Sequence, residues 1–187
     1  MARLMCDCCQ RPEARCCCAY VRPIHNRIRV VILQHPDEAG HAKNTGEFLH
    51  RCLANSELSI TETIAWPIDP SDTALLYPAA KSAATATAPP LPSPLKRLLV
   101  LDATWRKSRK MLHLNPSLHS LPRVALNEIP ASRYRIRSAA NTDQLSTFEA
   151  SCYALQQLEH NSALCQPALA AFDEYINHLV SFDPNRR

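Results

Sequence analysis

Short apolar runs alternate along the chain with segments whose apolar residues recur at helical spacing. The run Ile28–Gln34 (I-R-V-V-I-L-Q) is rich in β-branched residues and predicts a buried strand. The run Arg97–Asp102 (R-L-L-V-L-D) predicts a buried parallel strand that ends in an acid at its carboxyl end. Weaker patterns predict further short strands at Leu58–Ile64, Thr73–Tyr77, Val124–Leu126 and Tyr134–Arg137.

Helices are predicted between and after these strands, several of them with a recognisable start signal. Asn44 and Glu47 form an Asn-x-x-Glu start, and Pro167 suits a first helical turn. The predicted helices are Asn44–Ala54, Thr104–Leu114, Ser146–His160 and Pro167–Phe182. Strands that alternate with helices predict an α/β fold, with helices on both faces of a mostly parallel sheet.

Two segments fall outside this alternation. Residues 1–24 contain a dense group of cysteines and are predicted to form a small metal-binding head, followed by the α/β body at 25–187. Residues 79–94 are rich in Ala and Pro, so they cannot form a core strand and are predicted to be a flexible, exposed loop.

Composition excludes several common classes of protein. The chain has 187 residues, of which 46% are hydrophobic and 20% charged, so a folded domain is expected rather than disorder. Only two glycines occur, Gly40 and Gly46, and neither a G-x-G-x-x-G loop nor a P-loop can be written with them. Kinases, P-loop ATPases and ordinary dinucleotide-binding enzymes are therefore poor candidates.

Positive charge is concentrated in one part of the chain. Residues 96–137 hold ten Lys or Arg and two acids, whereas the formal net charge of the whole chain is +4. A basic segment on a mildly acidic body suggests a polyanionic partner such as nucleic acid, although a solvated charged face is the alternative.

The N-terminal residues lack the apolar stretch of a secretory signal, and no long apolar window suggests a membrane span. Nine cysteines are an odd number, and six of them lie between positions 6 and 18, which does not suit a secreted disulfide framework. A cytoplasmic protein without membrane contact is expected, and no obligate protein partner is evident.

The cysteine head contains a C-x-x-C pair, Cys6 and Cys9, and a C-x-C pair, Cys16 and Cys18. Two close pairs of thiolates suit tetrahedral structural zinc, because each pair spans one edge of the tetrahedron. Cys8 and Cys17 are surplus to this pairing, so the choice of ligands, an iron–sulfur cluster and a redox pair stay open.

The most suggestive chemistry lies at the end of the second strong strand. Asp102 is an acid at the carboxyl end of the strand, and Trp105 beside it offers an indole that can stack on a base; with the cations that follow, this suits a nucleotide site. Four cations follow at Arg106, Lys107, Arg109 and Lys110. The alternative is that Asp102 or Thr104 caps the next helix and that Trp105 belongs to the core.

Three other groups of residues are candidates with structural alternatives. Ser146 and Glu149 fit a capping box at the start of a helix. His35 follows a strand and is either a base, a ligand or an ordinary hydrogen-bonded residue. Leu76, Tyr77 and Pro78 form either a rigid rim for a ligand or a strand end.

A series of short motifs then occurs in one order. They are C-x-x-C with C-x-C, L-Q-H-P-D-E from Leu33, N-T from Asn44, L-L-Y-P from Leu75, L-D-A-T-W from Leu101, K-M-L from Lys110, L-P-R-V from Leu121, Y-x-I-R from Tyr134 and L-S-T-F-E-A from Leu145. The chain thereby resembles the DTW-domain family, and closely its bacterial tRNA-uridine aminocarboxypropyltransferases, from Cys6 to about Glu159. Ala103 departs from the glycine common in D-x-T-W, and 79–94 resembles an insertion.

The resemblance implies a SPOUT-like knotted fold that binds S-adenosylmethionine and transfers its aminocarboxypropyl group to N3 of a tRNA uridine. It implies catalytic roles for Asp102 as base, with Thr104 and Trp105, and the charge of Asp102 would also suit a ligand of the methionine ammonium group. Cofactor contacts are implied for Leu76, Tyr77, Pro78, Leu126, Ser146, Thr147 and Glu149. Contacts to tRNA are implied for His35, Asn44, Thr45, Arg106, Lys107, Arg109, Lys110, Arg133, Arg135 and Arg137. The alternatives are a methyltransferase that uses the same cofactor and a non-catalytic RNA-binding module with zinc and a basic patch.

Overall fold

Five parallel strands form the centre of the structure, a computed structural model that describes residues 4–41, 44–78, 90–126 and 145–181. Their order across the sheet is β2-β1-β4-β3-β5, and every pairing between them is parallel. The strands are β1 (Arg29–Gln34), β2 (Ser56–Ile60), β3 (Thr73–Leu76), β4 (Arg97–Asp102) and β5 (Arg123–Val124). The predicted parallel sheet is confirmed.

The four predicted helices are also present. They are α1 (Gly46–Cys52), α2 (Trp105–Leu114), α3 (Thr147–Leu158) and α4 (Gln166–Ser181). The strand predicted to run to Ile64 ends earlier, at Ile60, because the Thr61 hydroxyl accepts a hydrogen bond from the Thr63 amide and turns the chain. The strand predicted at Tyr134–Arg137 lies outside the described residues.

Alternate residues of the central strands face two different apolar layers, as the pleat of a strand requires. On one face, Ile32 and Val100 pack with residues of α1, α3 and α4. On the other face, Leu33 and Leu99 pack with residues of α2 and of the short 3-10 helix Pro116–Ser120. Helices therefore cover both faces of the sheet, which explains why β1 and β4 are almost continuously apolar.

The cysteine head packs into the first of these layers. Cys9 and Cys17 are buried in the same apolar core as α1, α3 and α4. The ring of Tyr20, in the 3-10 helix Cys18–Tyr20, lies 5.3 Å from the ring of Tyr175 in α4. The predicted boundary between 1–24 and 25–187 stays a prediction, and the two segments share this core.

The two central strands place polar residues at one point of the sheet. β1 and β4 are register partners from Arg29↔Arg97 to Gln34↔Asp102, so Gln34 and Asp102 lie side by side at the carboxyl ends. From β1 the chain moves outward to β2, whereas from β4 it continues toward β5 on the opposite side. Such a reversal opens a crevice at the strand ends, where α/β proteins place their ligands.

Across the described ranges, none of the helices has the length and apolar character needed to cross a membrane.

Candidate functional site

Asp102 is buried at the end of β4, and its carboxylate is fixed by two side-chain amides. Its Oδ2 atom accepts hydrogen bonds from Gln34 Nε2 at 2.9 Å and from Asn44 Nδ2 at 2.7 Å. Gln34 Nε2 also donates to Asn44 Oδ1 at 3.0 Å, which closes a triangle of three buried polar side chains. A buried carboxylate needs such partners to offset its desolvation, and here they fix its orientation as well.

Gly46, the first residue of α1, provides the space for this carboxylate. A Cβ atom at position 46 would lie 2.5 Å from Cγ of Asp102 and 2.9 Å from its Cβ. No side chain larger than hydrogen fits there unless Asp102 moves. One of the two glycines of the chain is therefore part of the site.

The helix cap that follows β4 belongs to Thr104, so Asp102 is not the cap. The Thr104 hydroxyl accepts a hydrogen bond from the Lys107 amide at 3.4 Å and begins α2. Trp105 is 46% exposed, so the interpretation of its indole as a core residue is wrong. Its ring meets the edge of Tyr77 with 5.8 Å between ring centroids, and the Tyr77 hydroxyl lies 3.2 Å from Ser108 Oγ. An accessible aromatic wall therefore stands beside the ends of β3 and β4.

The other predicted cofactor residues lie around the ends of β3 and β5 and at the start of α3. Leu76 is paired with Val124 across the two strands, and both Leu76 and Leu126 pack against the first apolar layer. The Pro78 carbonyl accepts a hydrogen bond from Arg123 Nη1 at 2.9 Å, and the Arg123 guanidinium lies over the Tyr77 ring. The Arg123 side chain of β5 thus contacts both residues that directly follow β3.

Ser146 and Glu149 form the capping box that their spacing predicts. Glu149 Oε2 accepts from the Ser146 amide at 2.9 Å and from its hydroxyl at 2.8 Å, while the Glu149 amide donates to Ser146 Oγ at 3.2 Å. The side chains of Ser146 and Glu149 therefore cap the N-terminus of α3. The amides of Thr147 and Phe148 are not part of the box, and they are the helix-terminal donors suited to an anionic group.

Cys6, Cys9, Cys16 and Cys18 come together in the head. Their Sγ atoms all lie within 4.8 Å of one another. Cys6 and Cys18 are 3.8 Å apart and Cys9 and Cys16 are 3.7 Å apart. Zn–S bonds of about 2.3 Å in a tetrahedron give edges of about 3.8 Å. An iron–sulfur cluster would hold its thiolates farther apart because they bind different irons. The four sulfurs fit a single tetrahedral ion.

The crowding of these thiols changes their acidity. Burial raises the pKa of Cys9, but hydrogen bonds from the amides of Cys17 and Arg11 outweigh it and bring the pKa to about 6. Burial and the neighbouring thiols raise the pKa of Cys18. Cys17 is buried and Cys8 is exposed, and neither belongs to the group of four. A shared cation would relieve the repulsion among ionised sulfurs.

The four cations of α2 differ from one another in their surroundings. Lys107 Nζ contacts Glu38 at 2.9 Å and Asp37 at 3.3 Å, and Lys110 Nζ contacts Glu62 at 2.8 Å. Arg106 and Arg109 are exposed and have no ion-pair partner within the part of the chain that the structure describes. Among the described residues, the two arginines are therefore the exposed cations of α2 whose charge is not offset by an ion pair.

The other predicted RNA contacts that the structure describes, His35, Asn44 and Thr45, are buried. His35 is buried, and its Nε2 lies 2.6 Å from Glu62 Oε1. Asn44 is buried against Asp102, and Thr45, also buried, begins α1. These placements favour structural roles for the three residues. Arg133, Arg135 and Arg137 lie outside the described residues.

A cleft of about 860 Å³ opens between the cysteine head and the edge of the sheet at β2. Arg11, Glu47 and Arg51 bring charges to it, and Gln34 also lines it. The sequence gives no local signal for this cleft, because its walls come from segments far apart in the chain.

Three residues that complete the site were not among the predicted ones: Gln34, Gly46 and Arg11. Gln34 had a detectable signal, since it is the polar end of an apolar strand, as Asp102 is of another. Gly46 is one of only two glycines. Arg11 carries no such signal, since it is one charged residue among the cysteines.

Fold and site together define an α/β protein with a buried polar cluster at the reversal point of a parallel sheet and a group of four cysteine thiols that could hold a metal ion. The chain belongs to the DTW-domain family, which matches residues 3–180. This confirms the family that the ordered motifs indicated.

Curated relatives carry informative names. The chain is 30% identical over 181 residues to tRNA-uridine aminocarboxypropyltransferase 2 of Mus musculus, and 29% identical over 180 residues to the Macaca fascicularis protein of the same name. Both alignments cover 88% of this chain and 59% of the relative, so the chain spans less than two thirds of their length. tRNA-uridine aminocarboxypropyltransferase A of Arabidopsis thaliana is 31% identical over 136 residues, 59% of this chain and 50% of the relative. No solved structure matches the chain.

Proposed function

We propose that this protein transfers the 3-amino-3-carboxypropyl group of S-adenosylmethionine to N3 of a uridine in tRNA. The observation that carries the proposal is the buried Asp102, fixed by Gln34 and Asn44 beside Thr104 and the exposed Trp105, in a chain of the DTW-domain family. The names of the three relatives give the reaction and the substrate class.

The reaction forms an N–C bond at uracil N3 and breaks the C–S bond of the sulfonium. S-adenosylmethionine supplies a carbon activated by a neutral leaving group, methylthioadenosine. The N3 proton must leave as the new bond forms, and Asp102 is the proposed acceptor. Its Oδ2 is occupied by the two amides, so Oδ1 is the oxygen proposed to take the proton. Trp105 and Tyr77 are proposed to stack on the base or enclose it.

For the cofactor, we propose a SPOUT-like site at the ends of β3 and β5 and the start of α3. Tyr77 and Pro78, tied to Arg123, are proposed to form one wall, and Leu76 and Leu126 its apolar base. The amides of Thr147 and Phe148, in the first turn of α3 and outside the capping box of Ser146 and Glu149, are proposed to bind the methionine carboxylate. A knot in this region is part of the same proposal.

For the head, we propose one structural zinc ion bound by Cys6, Cys9, Cys16 and Cys18. The sulfur–sulfur distances of 3.7 and 3.8 Å support this assignment. Four thiolates leave no open coordination position, so the ion would stabilise the fold of the head rather than bind substrate.

For tRNA, we propose that Arg106 and Arg109 bind backbone phosphates. Their exposure and the absence of described acidic partners support this role. A cytoplasmic location suits a tRNA substrate and stays a prediction.

One experiment tests the proposed reaction. The purified protein is incubated with S-adenosylmethionine and unmodified tRNA, and nucleosides and small products are identified by mass spectrometry. Aminocarboxypropyluridine with methylthioadenosine is the expected result. Methylated nucleoside with S-adenosylhomocysteine would establish a methyltransferase instead. Binding of tRNA without binding of S-adenosylmethionine would establish the non-catalytic module.

A further inference from the structure

We propose that Arg11 is a positioning residue that links the metal site of the head to Asp102. The inference rests on the proposed function, in which Asp102 accepts the N3 proton. If Arg11 has this role, the cysteine head affects the rate of turnover because it helps to place the Asp102 carboxylate. This effect adds to any contribution of the head to the stability of the fold.

Arg11 is built into the loop that brings the cysteines together. It lies between Cys9 and Cys16 in the chain, and its carbonyl accepts a hydrogen bond from the Cys6 amide at 2.8 Å. The amide of the preceding residue, Gln10, donates to the Cys6 carbonyl at 2.9 Å. The position of the Arg11 backbone therefore depends on the geometry of the four thiols.

The Arg11 side chain leaves the head and enters the body. It is 3% exposed, and its Nη2 donates to the Asn44 carbonyl at 3.0 Å. Nη1 donates to the Tyr175 hydroxyl, and Nη2 lies 3.6 Å from Glu47 Oε2. A buried guanidinium held by several partners has little freedom, so it transmits a displacement of its backbone to those partners.

Asn44 connects the Arg11 side chain to Asp102, because it is hydrogen-bonded to both. Its carbonyl accepts from Arg11, while its side-chain amide donates to Asp102 Oδ2 at 2.7 Å. Its Oδ1 accepts from Gln34 and from the Glu47 amide at the start of α1. One residue thus joins Arg11, the start of α1 and the Asp102 carboxylate, and its movement changes where that carboxylate points.

The first test compares Arg11→Ala with Arg22→Ala, a matched substitution in the head. Arg22 donates only to the nearby carbonyls of Ala19 and Val21 among its described hydrogen bonds. Arg11→Ala is expected to lower the single-turnover transfer rate by about 10–100-fold, the scale of a misplaced catalytic group. Zinc content and tRNA affinity should stay at the wild-type level, and Arg11→Lys should recover part of the rate. Arg22→Ala should leave the rate unchanged.

The second test separates positioning from a general loss of structure. In a chain that already carries Asp102→Asn, Arg11→Ala should produce almost no further decrease in rate, because the group that it positions no longer acts. An equal decrease in both backgrounds would overturn the proposal.

The third test does not depend on activity. The side-chain amide signals of Asn44 and Gln34 in NMR spectra should shift in Arg11→Ala and upon removal of zinc by a chelator, but not in Arg22→Ala. Unchanged signals in Arg11→Ala would overturn the link whatever the reaction is. If the signals shift but the protein modifies no uridine, the structural link between Arg11 and Asp102 is supported and the proposed function is refuted.

Discussion

The Cα of Gly46 faces the carboxylate of Asp102 so closely that a methyl group at position 46 would lie 2.5 Å from Cγ of Asp102. Gly46→Ala should therefore displace Asp102 or the start of α1. We expect a loss of about 1–3 kcal/mol in the free energy of unfolding, as for other overpacked sites, together with a large decrease in transfer rate. Denaturant unfolding and single-turnover kinetics measure the two effects.

Gly40→Ala is the matched control. Gly40 has a φ of +74° and nothing within 4 Å of an added Cβ, so its alanine variant is strained but not crowded. A loss of about 1–2 kcal/mol is expected from the left-handed backbone, with a transfer rate close to the wild type. Equal losses of activity in the two variants would show that Gly46 has no special relation to Asp102.

Asp102→Asn should preserve the fold and reduce turnover. The variant retains a side-chain oxygen that can accept from the amides of Gln34 and Asn44 but loses the basicity proposed for proton transfer. We expect the transfer rate to fall by roughly 10²–10⁴-fold, while S-adenosylmethionine and tRNA still bind. Calorimetric binding and product formation on one sample test this expectation. Turnover near the wild-type level would remove Asp102 from the mechanism.

The arginines and the lysines of α2 should contribute unequally to RNA binding. Replacing Arg106 and Arg109 with Ala should lower tRNA affinity and reduce the slope of log affinity against log salt by about 1 for each lost phosphate contact. Replacing Lys107 and Lys110 should have a smaller effect, because Glu38 and Glu62 already pair with them. Filter binding over a salt series distinguishes the two pairs. Identical slopes for both double variants would contradict the proposed division.

Cys6→Ser and Cys8→Ser should differ in metal content. Cys6 belongs to the four clustered sulfurs and Cys8 does not, although both lie in the same turn of the head. Elemental analysis should find about one zinc per chain in the wild type and in Cys8→Ser, and much less in Cys6→Ser. An iron–sulfur absorption band in anaerobically prepared protein would contradict the zinc assignment.

The ion pair of Asp72 and Arg97 should make stability depend on pH in the acid range. The hydrogen bond from Arg97 lowers the pKa of Asp72 below its ordinary value. A lowered pKa in the folded state gives stability that is present above about pH 4 and is lost as pH falls through the folded pKa. Both side chains are partly exposed, so the contribution is at most about 1 kcal/mol.

Asp72→Asn tests that expectation. The difference in unfolding free energy between the wild type and this variant should shrink as pH falls from 6 to about 3. Urea unfolding at each pH measures the difference. A difference that is constant over this range would show that the pair is not coupled to folding.

Local sequence pattern located the four helices and the two central strands of the fold. The bounds of β4 agree with the predicted run Arg97–Asp102, because an apolar run bounded by charges leaves little choice of ends. The capping box of Ser146 and Glu149 is equally local, since three residues separate its partners. The predicted zinc ligands also lie within a short stretch, and the structure brings them together.

The neighbours of Asp102, unlike the elements above, come from distant parts of the sequence. Gln34 and Asn44 are 68 and 58 residues away from Asp102 in the chain. Their meeting depends on the register of β1 with β4 and on the close approach of α1 at Gly46. No periodicity or spacing in a single sequence encodes that register, so the proximity of Gln34 and Asn44 to Asp102 was visible only in three dimensions.

The contact between Arg11 and Tyr175 constrains the order in which the protein can be completed. The two residues are 164 positions apart, so the thiol cluster can assemble from local sequence long before α4 is synthesised. The buried guanidinium, however, acquires its hydroxyl partner only when nearly the whole chain is available. Contacts of such large separation carry a high entropic cost of closure and form late. Complete burial of the Arg11 guanidinium therefore requires α4, and truncation within α4 should remove its hydroxyl partner while leaving its contact with the Asn44 carbonyl.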